Sequence, residues 1–201
     1  MRYPLMRYRA LAWLLAATFG VAVYAKAKLL ENVPLQWKPT SELSLGGMMI
    51  SQMPHSSIQF EAFTDARADH QLIGENREDK APKPVTTTGD VGAFVSTHMR
   101  ELFNKAGLTT VDSGGTVTIK GEVKQFFVEE TNTYRGDLVV HLTVVGPNGA
   151  TLWSGSAPGD ATRFGRSYKL ENYYEVLSDC VVNTVSSMLR SDEFEKAISQ
   201  H

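Results

Sequence analysis

The chain of 201 residues contains a single cysteine, Cys180, so no disulfide can form within it and its core must hold it together. The five histidines, at 55, 70, 98, 141 and 201, show no metal-ligand spacing with one another or with Cys180. No Gly-x-Ser-x-Gly elbow is present, and the glycines between Gly155 and Gly165 lack the Lys-Ser/Thr pair and helix entry of a phosphate-cradling loop. No metal or cofactor is expected. A basic cluster is missing too: 20 Lys and Arg stand against 22 Asp and Glu, which gives no electrostatic case for nucleic acid or anionic lipid.

What is present begins at the N-terminus. Arg2, Arg7 and Arg9 precede Ala10–Val23, an apolar run of 14 residues without a charge. The run closes on Val23-Tyr24-Ala25, with Ala25-Lys26-Ala27 as a second small-residue site. Residues 1–25 therefore read as a secretory signal peptide, cleaved near Ala25 or Ala27. An uncleaved anchor is the alternative, but a spanning helix needs about 20 apolar residues. Taking 25 residues from 201 leaves 176, with 17 basic against 22 acidic groups, enough for one core and one domain. No cysteine follows the leader, so an exported periplasmic protein without a lipid anchor is expected. Its membrane contact would then be confined to the signal peptide before cleavage.

Residues 26–55 show no period and read as an extended lead-in, docked partly through Leu35, Trp37 and Met48-Met49-Ile50. A single domain is expected over 56–200. Ile58, Phe60 and Ala62 alternate as in a strand, and the chain then runs through Leu72-Ile73-Gly74 into a polar loop over 75–88. Val91, Phe94, Val95, His98, Leu102 and Ala106 form a helical stripe, with Thr88 or Asp90 to cap it and Gly107 to end it. A three-strand meander is expected next: Val117–Val123, Asp137–Val145 and Ala150–Ala157, followed by a Gly-rich loop over 158–168. A long helix from Leu170 to Arg190 buries Tyr173, Leu177, Val181, Val185 and Met188, and Asp192 with Glu195 caps a short closing helix anchored by Phe194 and Ile198. The expectation is a two-layer α+β fold. A mostly antiparallel sheet of about four or five strands would carry two main helices on one face.

The strand ending in Asp65-Ala66-Arg67, the later Gly74, the helix end Leu102-Phe103-Asn104-Lys105-Ala106-Gly107-Leu108, the strand Val117–Val123 and the long last helix together resemble the YajG-like group of small bacterial envelope lipoproteins. The resemblance covers about residues 56–198. It implies an envelope protein of mixed architecture, in a group without a secure biochemical activity. The lipid-bearing cysteine of that group is absent here. Either this is a soluble relative, or the likeness is to a general strand-helix-meander-helix envelope fold.

Two polar groupings stand out. Asp65, Arg67 and Asp69 follow the first strand and read either as a ligand or partner contact or as a turn pinning the loop to the sheet. Arg163 and Arg166, interleaved with Phe164 and Tyr168, read either as a grip for a carboxylate, phosphate or peptide, or as a solvated loop with its aromatics tucked onto the sheet. His98 is expected at the core boundary, His141 exposed, and Cys180 as a small hydrophobe. The function expected is a non-enzymatic binding or accessory module whose partner is an envelope protein or a hydrophobic ligand. The alternative is a hydrolase or other enzyme whose site is assembled from distant residues.

Overall fold

The computed structural model describes residues 29–45 and 56–199. The expected signal peptide, its cleavage sites and the Met48-Met49-Ile50 patch lie outside the described residues.

The sheet is organised around one long strand, β7 (Val117–Glu130). Its first half alternates buried Val117, Ile119, Gly121 and Val123 with wet Lys120 and Glu122. At Lys124 and Gln125 two successive residues face solvent, and the register against β8 (Thr133–Val145) shifts there. This bulge changes the parity, so Phe126, Val128 and Glu130 continue the buried set. Antiparallel β8 accompanies β7 from Val145 to Tyr134, and β9 (Thr151–Phe164) runs antiparallel beside β8.

The other edge of β7 is covered in pieces. β2 (Ser57–Phe60), β3 (Thr64–Asp65) and β4 (Leu72–Asn76) lie along it in succession, all parallel, through Ile58↔Val117, Asp65↔Val123 and Gly74↔Val128. β5 (Lys83–Thr87) returns antiparallel to β4, and β1 (Leu30–Val33) pairs parallel to β5. β6 (Thr109–Val111) pairs parallel to β2.

The α+β class holds, but among the described residues the sheet has nine strands where four or five were expected, and it is mixed. Its long pairings are antiparallel and its short ones mostly parallel. The expected loop over 75–88 contains β5 and the end of β4, and the expected loop over 158–168 is largely β9. Pro158 sits within β9 opposite Val139. That is permissible because β9 is an edge strand, whose proline costs no ladder on its outer side.

Among the described residues, three helices cover one face of the sheet. α1 (Val91–Lys105) starts at Asp90, whose Oδ1 accepts the Ala93 N–H at 2.9 Å, and ends before Gly107 at φ 92°. α2 (Leu170–Met188) lies across β8 and β9. α3 (Asp192–Ser199) opens on Ser191, whose Oγ accepts the Phe194 N–H, so Ser191 rather than Asp192 caps it. Phe194 and Ile198 are its buried anchors. Glycines let α2 sit directly on the sheet: a Cβ at Gly159 would overlap Thr184 and the Cys180 carbonyl, and one at Gly136 would overlap Val176. Cys180 is fully buried there, and burial pushes its thiol pKa up, which keeps it an inert hydrophobe.

β1 falls within the segment read as lead-in, and residues 34–45 then form a strap over the outer side of α2. Leu35, Trp37, Leu43 and Leu45 pack against the core. The strap's backbone is fastened to polar side chains of the helix. Lys38 N–H donates to Ser178 Oγ at 2.9 Å, Thr40 and Ser41 N–H to Asp179 Oδ1 at 2.7 Å, and Ser44 N–H to Ser186 Oγ at 3.0 Å. The Thr40 hydroxyl donates to Asp179 Oδ2 at 2.5 Å. Asp179→Ala leaves the Thr40 and Ser41 donors without their acceptor and should lower stability by about 2 kcal/mol. Hydrogen exchange should quicken over residues 38–44 and leave β7 and β8 protected; uniform exchange across the strap in both proteins would refute the fastening role.

Candidate functional site

The first polar grouping lies where the chain leaves the edge of β7 between β3 and β4. Residues 66–73 span the distance that residues 124–127 cover on β7. Arg67, only 8 % exposed, fills the gap. Its Nε and Nη2 donate to the two oxygens of Asp65 at 2.8 Å each, and Nη2 also donates to His70 O at 2.6 Å. Nη1 donates to Leu72 O at 2.6 Å and to Phe126 O on β7 at 3.3 Å. All five guanidinium donors are thereby used inside the protein. Burial pushes the Asp65 carboxyl up, but Arg67 outweighs it and holds the group below its ordinary pKa. Asp69 Oδ1 accepts the N–H groups of Gln71 and Leu72, closing the turn.

The second grouping is at the far end of the sheet, and the structure does not bring it together with the first. It is built on Glu130, the last residue of β7, which is 0 % exposed. Its Oε1 accepts the Ser167 and Tyr168 N–H groups at 2.8 Å each, and Oε2 accepts the Tyr173 hydroxyl at 2.8 Å. Burial pushes this carboxyl up, but Asn76, Tyr134, the Tyr168 amide and Tyr173 together hold it below its ordinary value. Tyr173 in turn is pushed up by burial and by the Glu130 charge. Tyr134 Oη accepts the Ser167 and Lys169 N–H groups at 3.3 Å. Tyr168 takes a left-handed backbone at φ 47°, and its hydroxyl donates to Pro84 O and accepts the Leu30 N–H. The turn between β9 and α2 is thus fixed to β5, β7 and β8 by polar contacts, most of them half-buried.

Just ahead of this turn, Phe164 ends β9 opposite Thr133 of β8 and is 87 % exposed. On either side of it, Arg163 pairs with Glu175 of α2, and Arg166 Nε donates to Glu78 Oε1 at 3.0 Å. Tyr168 tucks inward beneath Lys83, 5.9 Å from its ring centre. Phe164 does not tuck. The chemistry on offer is a rigid aromatic with cations beside it, suited to contact rather than to bond-making. Glu130 was invisible in the sequence because the bulge at Lys124 hides its parity. Counting every second residue from Phe126 would have placed it inside.

The other polar contacts are less enclosed. His98 stacks on Trp37 at 4.1 Å and bonds Glu101 at 2.7 Å, at the boundary between α1 and the strap. His141 Nε2 meets Ser154 Oγ at 3.2 Å on the open face of the sheet, with Thr143 beside them. Glu122 stands opposite His141 across the ladder, so a serine, a histidine and a carboxylate do come near one another. Glu122, His141 and Thr143 line an open cavity of about 290 Å³ together with Glu61, Thr64 and Lys120, and Ser154 lies outside that lining. Among the described residues, no group of three His, Cys, Asp or Glu could hold a metal ion. Nor is any of their helices long and apolar enough to cross a membrane.

No protein-family model matches the chain, and no curated protein matches it. Among solved structures it is similar to protein XCC0632 from Xanthomonas campestris, of the DUF330 family, with a TM-score of 0.54 at 9 % identity over 75 % of this chain and 90 % of that one. Lipoprotein GNA1162 from Neisseria meningitidis gives a TM-score of 0.36 at 15 % identity over 66 % of this chain and 99 % of that one. The likeness to XCC0632 is at the level of fold alone, and at that level it is consistent with the YajG-like resemblance drawn from the sequence.

Arg67→Ala should cost about 3 kcal/mol, since it strands the Asp65 carboxylate and three carbonyls. That corresponds to a fall in Tm of roughly 10 °C. An unchanged Tm would refute the pinning role. Glu130→Ala should likewise cost about 3 kcal/mol through its orphaned donors, with faster exchange at Ser167 and Tyr168. Because the folded Glu130 pKa lies below its ordinary value of 4.5, its contribution is complete above that value and is lost as pH falls through the lower folded one. Unfolding followed between neutral and acid pH should therefore show a weaker acid dependence in Glu130→Gln than in the parent.

Proposed function

We propose that this is an exported, non-enzymatic binding or accessory protein of the bacterial cell envelope, which meets its partner through the sheet end carrying Phe164. The reading rests chiefly on the exposed phenyl ring of Phe164, held at the end of β9 by its pairing with β8 and followed by the turn that Glu130 fixes. An aromatic with two side-chain torsions loses little freedom on contact when its backbone is already fixed. The leader over 1–25 supports export, with the cell processing the chain to begin at Lys26 or Lys28. The missing cysteine behind it supports a protein without a lipid anchor. Phe164 serves the partner and not the core, so folding and binding separate at this residue.

The experiment places a photo-crosslinking phenylalanine at position 164 of the full chain in living cells. A discrete adduct is expected at 164 and not with the same group at Thr118 or Ser156, on the polar open face of the sheet. Phe164→Ala should keep the parent Tm and lose the adduct's partner in pull-down from the periplasm. Equal labelling at all three positions, or none at 164, would sink the proposal.

A further inference from the structure

We infer that the open face of the sheet beside Phe164 receives an arginine of a partner protein, seated between the carboxylates of Asp137 and Asp160. This rests on the docking reading above and names the chemistry of the partner. Beyond the bulge at Lys124, the alternation of β7 and β8 lays out this face. Phe127 and Glu129 alternate with buried Phe126, Val128 and Glu130, while Thr133, Arg135 and Asp137 alternate with buried Tyr134, Gly136 and Leu138. The register sets Phe127 opposite Asp137, Asp137 opposite Asp160, and Thr133 opposite Phe164. Phe164 and the two aspartates therefore share one face, with Phe164 about 13 Å along β9 from Asp160.

Asp137 and Asp160 are both exposed, and as direct cross-strand neighbours their Cβ atoms stand about 5 Å apart. Like charges so placed repel each other. The same conflict occurs where Glu75 faces Glu129, and there Arg77 bridges the two at 2.6 and 2.7 Å. Among the described residues no cation bridges Asp137 and Asp160. Arg135 lies one row away opposite Thr162 without an ion pair, and Arg163 turns to Glu175 on the helix side. Across these strands four carboxylates (Glu75, Glu129, Asp137 and Asp160) thus stand against two guanidiniums (Arg77 and Arg135). The turn after β4 adds two matched pairs, Glu78 with Arg166 and Asp79 with Lys83, and the exposed Lys80, so the surface stays acidic.

That charge selects the occupant. A second copy of this chain would bring the same surplus of carboxylates, and an anionic surface would be repelled. A flat face offers a hard metal ion too few oxygens, and among the described residues no group of three His, Cys, Asp or Glu could hold one. A guanidinium fits: its planar fork has donors enough for two carboxylates, and its flat side packs on an aromatic ring such as Phe127. On an extended partner segment, an apolar side chain four residues from that arginine would reach Phe164.

The test uses isotope-labelled protein purified from the periplasmic fraction of cells expressing the full chain. The probe is the acetylated, amidated peptide Leu-Thr-Ser-Thr-Arg, compared with the same peptide carrying citrulline, which keeps the shape and loses the charge. Resonance shifts are expected at Asp137, Asp160 and Phe164 with the arginine peptide, and weaker ones with citrulline or in raised salt. Asp137→Asn and Asp160→Asn should each lower the affinity roughly tenfold. Asp160→Asn should keep or raise the Tm, because it removes a repulsion. Absence of shifts, equal shifts with citrulline, or affinity indifferent to both substitutions would overturn the assignment. So would a lower Tm in Asp160→Asn, which marks the pair as structural, or shifts at both aspartates with calcium chloride alone. If the crosslinked adduct at 164 persists in protein carrying Asp137→Asn and Asp160→Asn, the arginine falls and the docking surface stands. If the adduct at 164 is missing while the peptide still binds through the aspartates, the docking reading falls and the carboxylate site stands.

Discussion

The hydrogen-bonding edges of β7 set the rest of the architecture. One edge is satisfied continuously by β8, and the other must be satisfied by β2, β3 and β4, three short pieces of one chain travelling the same way. Glu61 and Ala66 N–H groups bond Ile119 O and Val123 O, and Arg77 N–H bonds Glu130 O, keeping the chain close where no regular strand exists. Between Asp65 and Gly74 the chain swings away. An edge carbonyl of β7 would then lose its partner, and an unpaired buried carbonyl costs as much as a lost hydrogen bond. Arg67 supplies the donor to Phe126 O from its side chain, and it can stay buried because Asp65 neutralises it. A two-residue strand and an ion pair together stand in for an uninterrupted strand.

The same economy of backbone partners governs α2. The helix needs a sheet beneath it and a cover above it, because buried residues occur around most of its circumference. Beneath, Gly136 and Gly159 allow a close approach that any Cβ would prevent. Above, the strap is an irregular segment without a ladder of its own, so its amides turn to Ser178, Asp179 and Ser186 on the helix. In the sequence those three side chains resemble a wet face. They are buried because another part of the chain requires acceptors there.

Elements governed by local rules could be read from the sequence. α1 was legible with its Asp90 cap and Gly107 stop, as were the start of α2 and the alternation through Val117 to Val123. Each depends on neighbours three or four residues away, or two. The misreadings depend on distant ones. At Lys124 the alternation breaks phase, which concealed that β7 continues to Glu130. β1, β3 and β5 are too short to display a period and exist only because a neighbouring edge awaits them. The last strand was read only to Ala157, but β9 runs on through Pro158, which an edge position tolerates. The residues of both polar groupings were singled out, but the difference between them was not visible. That difference is which way the side chains turn, and tertiary contacts decide it.

Both turns rest on a buried charge with several partners, Arg67 in one and Glu130 in the other. In the first, the guanidinium, Asp65 and Asp69 all direct their polar groups inward or along the turn, so rigidity there serves the sheet edge. In the second, Glu130 and Tyr134 take up the amides of Ser167, Tyr168 and Lys169, and the side chain left outside is a phenyl ring. A flexible loop carrying the same ring would have to order on contact, at a cost of about 1–2 kcal/mol for each backbone residue fixed. Here the buried carboxylate has met that cost during folding. Glu130 therefore links the core of the domain to its outermost apolar group, and the stability of one sets the readiness of the other.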